Sequence, residues 1–111
     1  MIRKGTTLAA AILTLALAAP ADARSMVSSY YWQGKKTANG ERYNSEGLTA
    51  AHKTLPFGTK LHVTYKGRSV MVRVNDRGPF IKGRHLDLSR GAARQLGMLN
   101  AGVAAVQVEV M

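Results

Sequence analysis

The chain is 111 residues long, carries 16 Lys and Arg against 6 Asp and Glu, and contains no Cys. The missing thiols exclude disulfides, Cys-ligated metal and a lipid anchor built on Cys. A net charge of +10 favours polyanionic partners: nucleic acid, an anionic membrane surface or an anionic wall polymer.

Residues 1–23 read as a secretory signal peptide. Arg3 and Lys4 form a positive n-region, Leu8 to Ala19 an apolar core, and Ala21-Asp22-Ala23 a small-residue site that places cleavage before Arg24. The apolar run falls short of the roughly 20 residues of a membrane span; an uncleaved anchor is the competing reading. Export to the periplasm argues against nucleic acid as a partner. The remaining residues, 24–111, are enough for one domain with a single core, and they keep 14 basic and 5 acidic residues, a net of +9. A monomer is expected.

After a polar lead-in, the aromatic enrichment of Ser29 to Gln33 predicts a first strand. Gly34 to Gly47 has turn chemistry and no period, and reads as a loop. Leu48 to His52 fits a short strand or a single helical turn. Lys60 to Tyr65 and Ser69 to Val74 alternate apolar and polar residues, which predicts two half-buried strands joined by a tight hairpin at Lys66-Gly67-Arg68. Ser89 is a suitable N-cap for a helix over about Arg90 to Leu96, with Gly97 as its stop. Ala104 to Val110 alternates again and closes the domain. Short strands, glycine-rich links and one or two short helices define a mainly β protein, a small closed barrel.

Five segments carry a family pattern in order: Ser28-Ser29-Tyr30-Tyr31, Thr37 to Glu41, Leu48 to Thr59 with Thr49-Ala50-Ala51-His52 at its head, Val72 to Phe80 with Asn75-Asp76-Arg77-Gly78-Pro79-Phe80, and Leu86-Asp87-Leu88-Ser89. Together they resemble the rare lipoprotein A family of septal-ring lytic transglycosylases, specifically its six-stranded double-psi β-barrel domain. The barrel and the Asp-Leu-Ser element are also similar to expansins, which bind and loosen wall polysaccharide. Larger family members carry a lipid-attachment Cys, and many a C-terminal peptidoglycan-binding repeat; neither is expected here, and the hairpin at Tyr65 to Ser69 is short for the family.

The resemblance implies non-hydrolytic cleavage of the bond between N-acetylmuramic acid and N-acetylglucosamine. The muramyl 6-hydroxyl attacks its own anomeric carbon and leaves a 1,6-anhydro end. Because the nucleophile belongs to the substrate, one carboxyl serves first as acid and then as base. The resemblance assigns that task to Asp76, assisted by His52 and Glu41. Burial or a neighbouring carboxylate helps such a group keep its proton, and a contacting Arg opposes it. Alternation turns Arg73 away from Val72 and Val74, and leaves Arg77 undetermined.

Each of these residues has a plainer reading beside the functional one. Asp76 also suits an Asx-turn at a strand end, His52 a structural hydrogen bond, and Glu41 an exposed loop charge. Asp87 is either a sugar-facing carboxylate, as in the expansin-like element, or a charge favouring the helix N-terminus just after it. Tyr30 and Trp32 share one strand face and are expected exposed for sugar stacking, with Tyr31 opposite. Lys53 and Thr54, next to His52 in the matched segment, complete the expected substrate contacts. His62 is expected at the surface. No metal-ligand spacing and no phosphate-cradling motif occurs, so neither metal nor cofactor is expected. The expected partners are peptidoglycan glycan strands and other wall or division proteins. A non-catalytic, expansin-like wall-binding module is the alternative.

Overall fold

The structure, a computed structural model, describes residues 23–111, so the leader reading lies outside the described residues except for Ala23. The described chain forms β1 (Arg24–Tyr31), β2 (Thr49–His52), β3 (Lys60–Tyr65), β4 (Arg68–Asp76), β5 (Leu86–Ser89), α1 (Arg90–Leu96) and β6 (Ala104–Val110). The strands close into a barrel in the order β1-β5-β2-β4-β3-β6. The β1–β5 and β2–β4 pairs are parallel, and the other four are antiparallel.

The alternating segments form strands with the expected face inward. Leu61, Val63, Val72, Val74, Val106 and Val108 are fully buried, joined by Leu86 and Leu88. The hairpin between β3 and β4 turns on Lys66 and Gly67, both at positive φ (48° and 82°). Two successive left-handed residues match the right-handed twist of the flanking strands, which is why a two-residue link suffices. The first strand differs from expectation: it begins at Arg24 and ends at Tyr31, because Arg24 to Ser28 pair with Val108 to Ala104. That long-range pairing has no local signature in a polar lead-in. The ambiguous segment before His52 is a strand, flanked by β4 and β5 on its two sides.

Helix α1 covers one end of the barrel with Ala92, Ala93 and Leu96. Ser89 caps it as expected: its Oγ accepts the Ala92 N–H at 3.2 Å and donates to the Gly47 carbonyl. Gly97, at φ 75°, ends the helix. Gly91 has a different role. Its N–H donates to the Ser45 carbonyl at 2.8 Å, and a Cβ there would stand 2.6 Å from the Glu46 carbonyl oxygen. The 44–47 turn is backbone and cannot swing away like a side chain. Gly91→Ala is therefore expected to destabilise the domain by about 2 kcal/mol, read as a fall of roughly 10 °C in Tm. An unchanged Tm would mean that the turn yields freely.

Candidate active site

Strand β2 has only four residues, yet it joins both carboxylate-bearing strands. Ala51 pairs with Asp76 of β4 on one side and with Asp87 of β5 on the other, and Asp87 also pairs with Ser29 of β1. Neighbours on one rung of a sheet project to the same face. Ala50, Val74, Leu86 and Leu88, adjacent along the strands, fill the core. The rung Ser29–Asp87–Ala51–Asp76 therefore faces away from the barrel core, with Ser29 and Ala51 covered and the two aspartates partly exposed. Two strand spacings put the aspartate Cα atoms roughly 10 Å apart.

A bulge makes this possible. The β2–β4 register jumps from Ala50↔Val74 to Ala51↔Asp76, leaving Asn75 as the extra residue. Strict alternation from the core-facing Val74 would turn Asp76 inward. The bulge re-aims it onto the outer face, a common use of such irregularities beside functional sites.

Three donors fix the Asp76 carboxylate. Oδ2 accepts the Tyr31 O–H at 2.9 Å, and Oδ1 accepts the backbone N–H groups of Ala38 and Arg77, each at 2.9 Å. Tyr31 lies two residues beyond Ser29 on β1, on the same strand face. Its ring stacks on Tyr43 at 4.5 Å between centroids, and the Tyr43 hydroxyl donates to the Tyr31 carbonyl at 2.6 Å. Burial, followed by the Asp76 hydrogen bond, pushes the Tyr31 hydroxyl far above its ordinary pKa, and burial pushes Tyr43 up to about 12. Tyr31 thus keeps its proton and donates it to the bond with Asp76. Alternation puts Tyr31 opposite Tyr30 and Trp32 and in register with Ser29; that register is the local signal for its role at Asp76.

Asp87 accepts the Ser29 O–H at 3.1 Å. Burial raises its pKa to about 6, the Asp76 charge adds to the rise, and Ser29 and Arg84 oppose it. Its carboxylate engages β1 rather than the helix, whose first turn holds no acidic residue. The helix-terminus reading of Asp87 is thereby corrected: a strand residue projects sideways from the sheet, while the Ser89 Oγ serves the helix end.

Glu41 is placed for a task other than holding a proton. Its two oxygens accept both terminal guanidinium nitrogens of Arg73 at 2.9 and 3.1 Å, and Oε1 also accepts Asn75 Nδ2 at 2.9 Å. The Arg73 bonds first, then Asn75, lower its pKa to about 2, so it is an anion throughout the neutral range. Arg73 does turn away from Val72 and Val74, as alternation requires, but the bulge brings Asp76 to that same outer face; the Arg73 guanidinium is held off it by clamping Glu41. The clamp holds the Thr37–Glu41 turn, which also donates Asn39 N–H to the Asn75 carbonyl at 3.2 Å and delivers the Ala38 N–H to Asp76. Glu41→Gln is expected to slacken this turn and lower activity roughly tenfold through loss of positioning, with Tm nearly unchanged. Full activity in the variant would separate the turn from the site.

The remaining candidates are spread around this rung. His52 alternates to the face opposite Ala51. Its Nδ1 accepts the N–H groups of Thr54 and Leu55, both at 3.1 Å, which puts the proton on Nε2. Burial, then the charges of Arg77, His85 and Lys53, lower its pKa. It lines a hollow with Arg24, Met26, Thr54 and Leu55, away from the carboxylate rung, so the structure does not bring it together with Asp76 and Glu41. Arg77 spans the gap, donating to the carbonyls of His52 and Leu55 at 3.2 and 2.8 Å while stacking on Phe57. Lys53 and Thr54 are exposed beside His52, and His62 is only partly exposed.

Trp32 is 57% exposed, as expected for a stacking residue. Tyr30 differs from expectation: it is half-buried against the core, and its hydroxyl donates to the Leu99 carbonyl at 2.9 Å. A paired phenol at the end of a strand is held down by that bond rather than presented. Both rings still line a groove of about 390 Å³ with Ser29, Tyr31, Arg84 and Val103. Among the described residues no three His, Asp or Glu side chains converge as a metal site requires.

The closed barrel, its parallel β1–β5 and β2–β4 pairs and the Asp-bearing rung define a double-psi β-barrel domain. Residues 24–108 match the family model described as Lytic transglycolase, and the chain belongs to that family. It is 55% identical over 92 residues to the probable endolytic peptidoglycan transglycosylase RlpA of a Nostoc species, covering 77% of this chain and 25% of that protein. It is 54% identical over 90 residues to the endolytic peptidoglycan transglycosylase RlpA of Campylobacter jejuni, covering 77% of this chain and 33% of that protein. The chain thus spans about a quarter to a third of the length of these curated relatives. Among solved structures it is similar to a Clavibacter michiganensis expansin, with TM-score 0.67 and 25% identity, covering 80% of this chain and 50% of that one.

Proposed function

We propose that this domain is a peptidoglycan lytic transglycosylase, acting in the periplasm after removal of residues 1–23. It cleaves between N-acetylmuramic acid and N-acetylglucosamine and leaves 1,6-anhydromuramyl ends. The observation that carries this reading is the outward rung: the bulge at Asn75 aims Asp76 to the same face as Asp87, beside an aromatic groove. The family membership and the relatives' names support it.

Asp76 protonates the leaving glycosidic oxygen, then takes the proton of the muramyl 6-hydroxyl as that oxygen closes on the anomeric carbon. Tyr31 and the Ala38 and Arg77 amides hold its carboxyl in one orientation, which is what a shuttling group needs. Asp87 accepts sugar hydroxyls two rung positions away, across Ala51. Glu41 positions the turn that bears Ala38. His52 fixes the Thr54–Leu55 backbone and so shapes the wall carrying Lys53 and Thr54. The basic surface favours association with the anionic wall, where other wall or division proteins are candidate partners.

One observation favours a second assignment within the same reaction. Asp87, held at about 6, keeps a proton on part of the population near neutrality and suits the acid role, leaving Asp76 as base. The expansin likeness favours a different reading altogether, glycan binding without cleavage. Digestion of purified peptidoglycan with the domain, followed by mass spectrometry, is expected to yield 1,6-anhydromuramyl products. Binding without such products across pH and glycan forms leaves only the expansin-like reading standing.

A further inference from the structure

The segment Arg77 to His85 leaves Asp76 and returns to β5, and both its ends belong to the site. The Arg77 N–H donates to Asp76, and Arg84 lines the groove with Trp32. Its middle is apolar and uncovered. Phe80 is 83% exposed, the most exposed large hydrophobic side chain among the described residues, and Ile81 beside it is 54% exposed.

One edge of the Phe80 ring is backed by backbone. It lies back on Gly78, where a Cβ would come within 3.3 Å of its Cε2 and 3.5 Å of its Cδ2. Gly78 and Pro79 are buried, so the ring rests against fixed backbone and turns its other face to solvent. A Cβ at Gly78 would make the ring shift by a few tenths of an ångström, and φ there is 119°, which side chains also disfavour.

We propose that Phe80 is a sugar-stacking platform, a second aromatic surface for the glycan beside Trp32, carried on the segment that runs from Asp76 to the groove at Arg84. This rests on the reading of the groove as a glycan site. A pyranose presents a C–H face that packs on a flat aromatic ring presented on a backbone seat. Insertion into lipid needs apolar area but no fixed ring orientation. The seat on Gly78, four residues or fewer from Asp76, is therefore better explained by sugar than by membrane.

The test uses the folded domain and purified peptidoglycan sacculi. Phe80→Ala and Phe80→Leu are each expected to weaken sacculus binding and raise apparent KM about tenfold, with a smaller change in kcat. Phe80→Trp is expected to restore both, and Ile81→Ala to leave both unchanged. Tm should stay at the wild-type value in all four, since neither side chain is buried. The same binding series in an Asp76→Asn background separates this proposal from the catalytic one: loss of products in wild type sinks the reaction, not the platform. Wild-type binding by Phe80→Ala or by Phe80→Leu overturns the platform. So does a Phe80→Ala variant that keeps its sacculus affinity and loses co-sedimentation with anionic phosphatidylglycerol vesicles, the result expected of a membrane contact.

Discussion

Asp76→Asn is expected to lower the yield of 1,6-anhydromuramyl ends about a thousandfold, the scale on which removal of a general acid/base acts, while leaving the fold intact. The fold should survive because the substitution keeps most of the local bonding. An Asn Oδ1 still accepts the Ala38 and Arg77 amides that now reach Asp76 Oδ1, and the Tyr31 hydroxyl rotates to accept from the new Nδ2 instead of donating. Tm should therefore change little, and sacculus binding should persist. What disappears is the ability to exchange a proton with the leaving oxygen and the 6-hydroxyl. Retained products at near wild-type rate, measured by mass spectrometry of digested sacculi, would remove Asp76 from the chemistry. Loss of products accompanied by a large fall in Tm would instead identify Asp76 as a structural acceptor that knits β1, the 37–41 turn and β4 together.

Much of the barrel was legible because its strands are written locally. The alternation in Lys60 to Tyr65, Ser69 to Val74 and Ala104 to Val110, and the Ser89 and Gly97 caps, each depend on neighbours within a few residues. What escaped was set by distant partners. Arg24 to Ser28 become strand only because β6 pairs with them. Tyr30 looked free to stack on sugar, and the Leu99 carbonyl, far along the chain, ties its hydroxyl down. The site shows the same division. Resemblance pointed to Asp76 and Glu41, but nothing local indicates that a bulge at Asn75 turns Asp76 outward, or that Arg73 converts Glu41 from a candidate proton carrier into a fixed anion. His52 carries its motif faithfully, yet strand alternation puts it across the sheet from Asp76. Motif order in the chain and convergence in space are separate facts, and the bulge links them for one residue without linking them for its neighbour.

Asp87→Asn is expected to make the domain more stable and less active at pH 7, a combination that a structural carboxylate does not give. The carboxyl stands at about 6 in the folded chain against 3.8 ordinarily, chiefly because burial disfavours its charge. The folded state thus holds the proton more tightly than the unfolded one. By linkage this contribution is fully present below about pH 4 and is lost as pH rises through 6, so stability falls across that window and the penalty is complete above it. Undamped, the shift corresponds to about 3 kcal/mol; solvent reaches Asp87, and screening reduces this to about 1 kcal/mol. Removing the charge should then raise Tm by roughly 5 °C at pH 7.5 and by little at pH 3.5, where both chains are neutral at this position. The Ser29 hydroxyl keeps a partner, since an Asn oxygen accepts as the carboxylate did. Affinity for sacculi should fall, because an amide is a weaker acceptor of sugar hydroxyls than a carboxylate, and the wild-type dependence of KM on pH near 6 should disappear. If the variant instead melts below wild type at every pH, the β1–β5 contact needs the charge for folding, and the outward rung loses its second functional carboxylate. A variant that is stabilised and fully active would leave Asp76 to work alone.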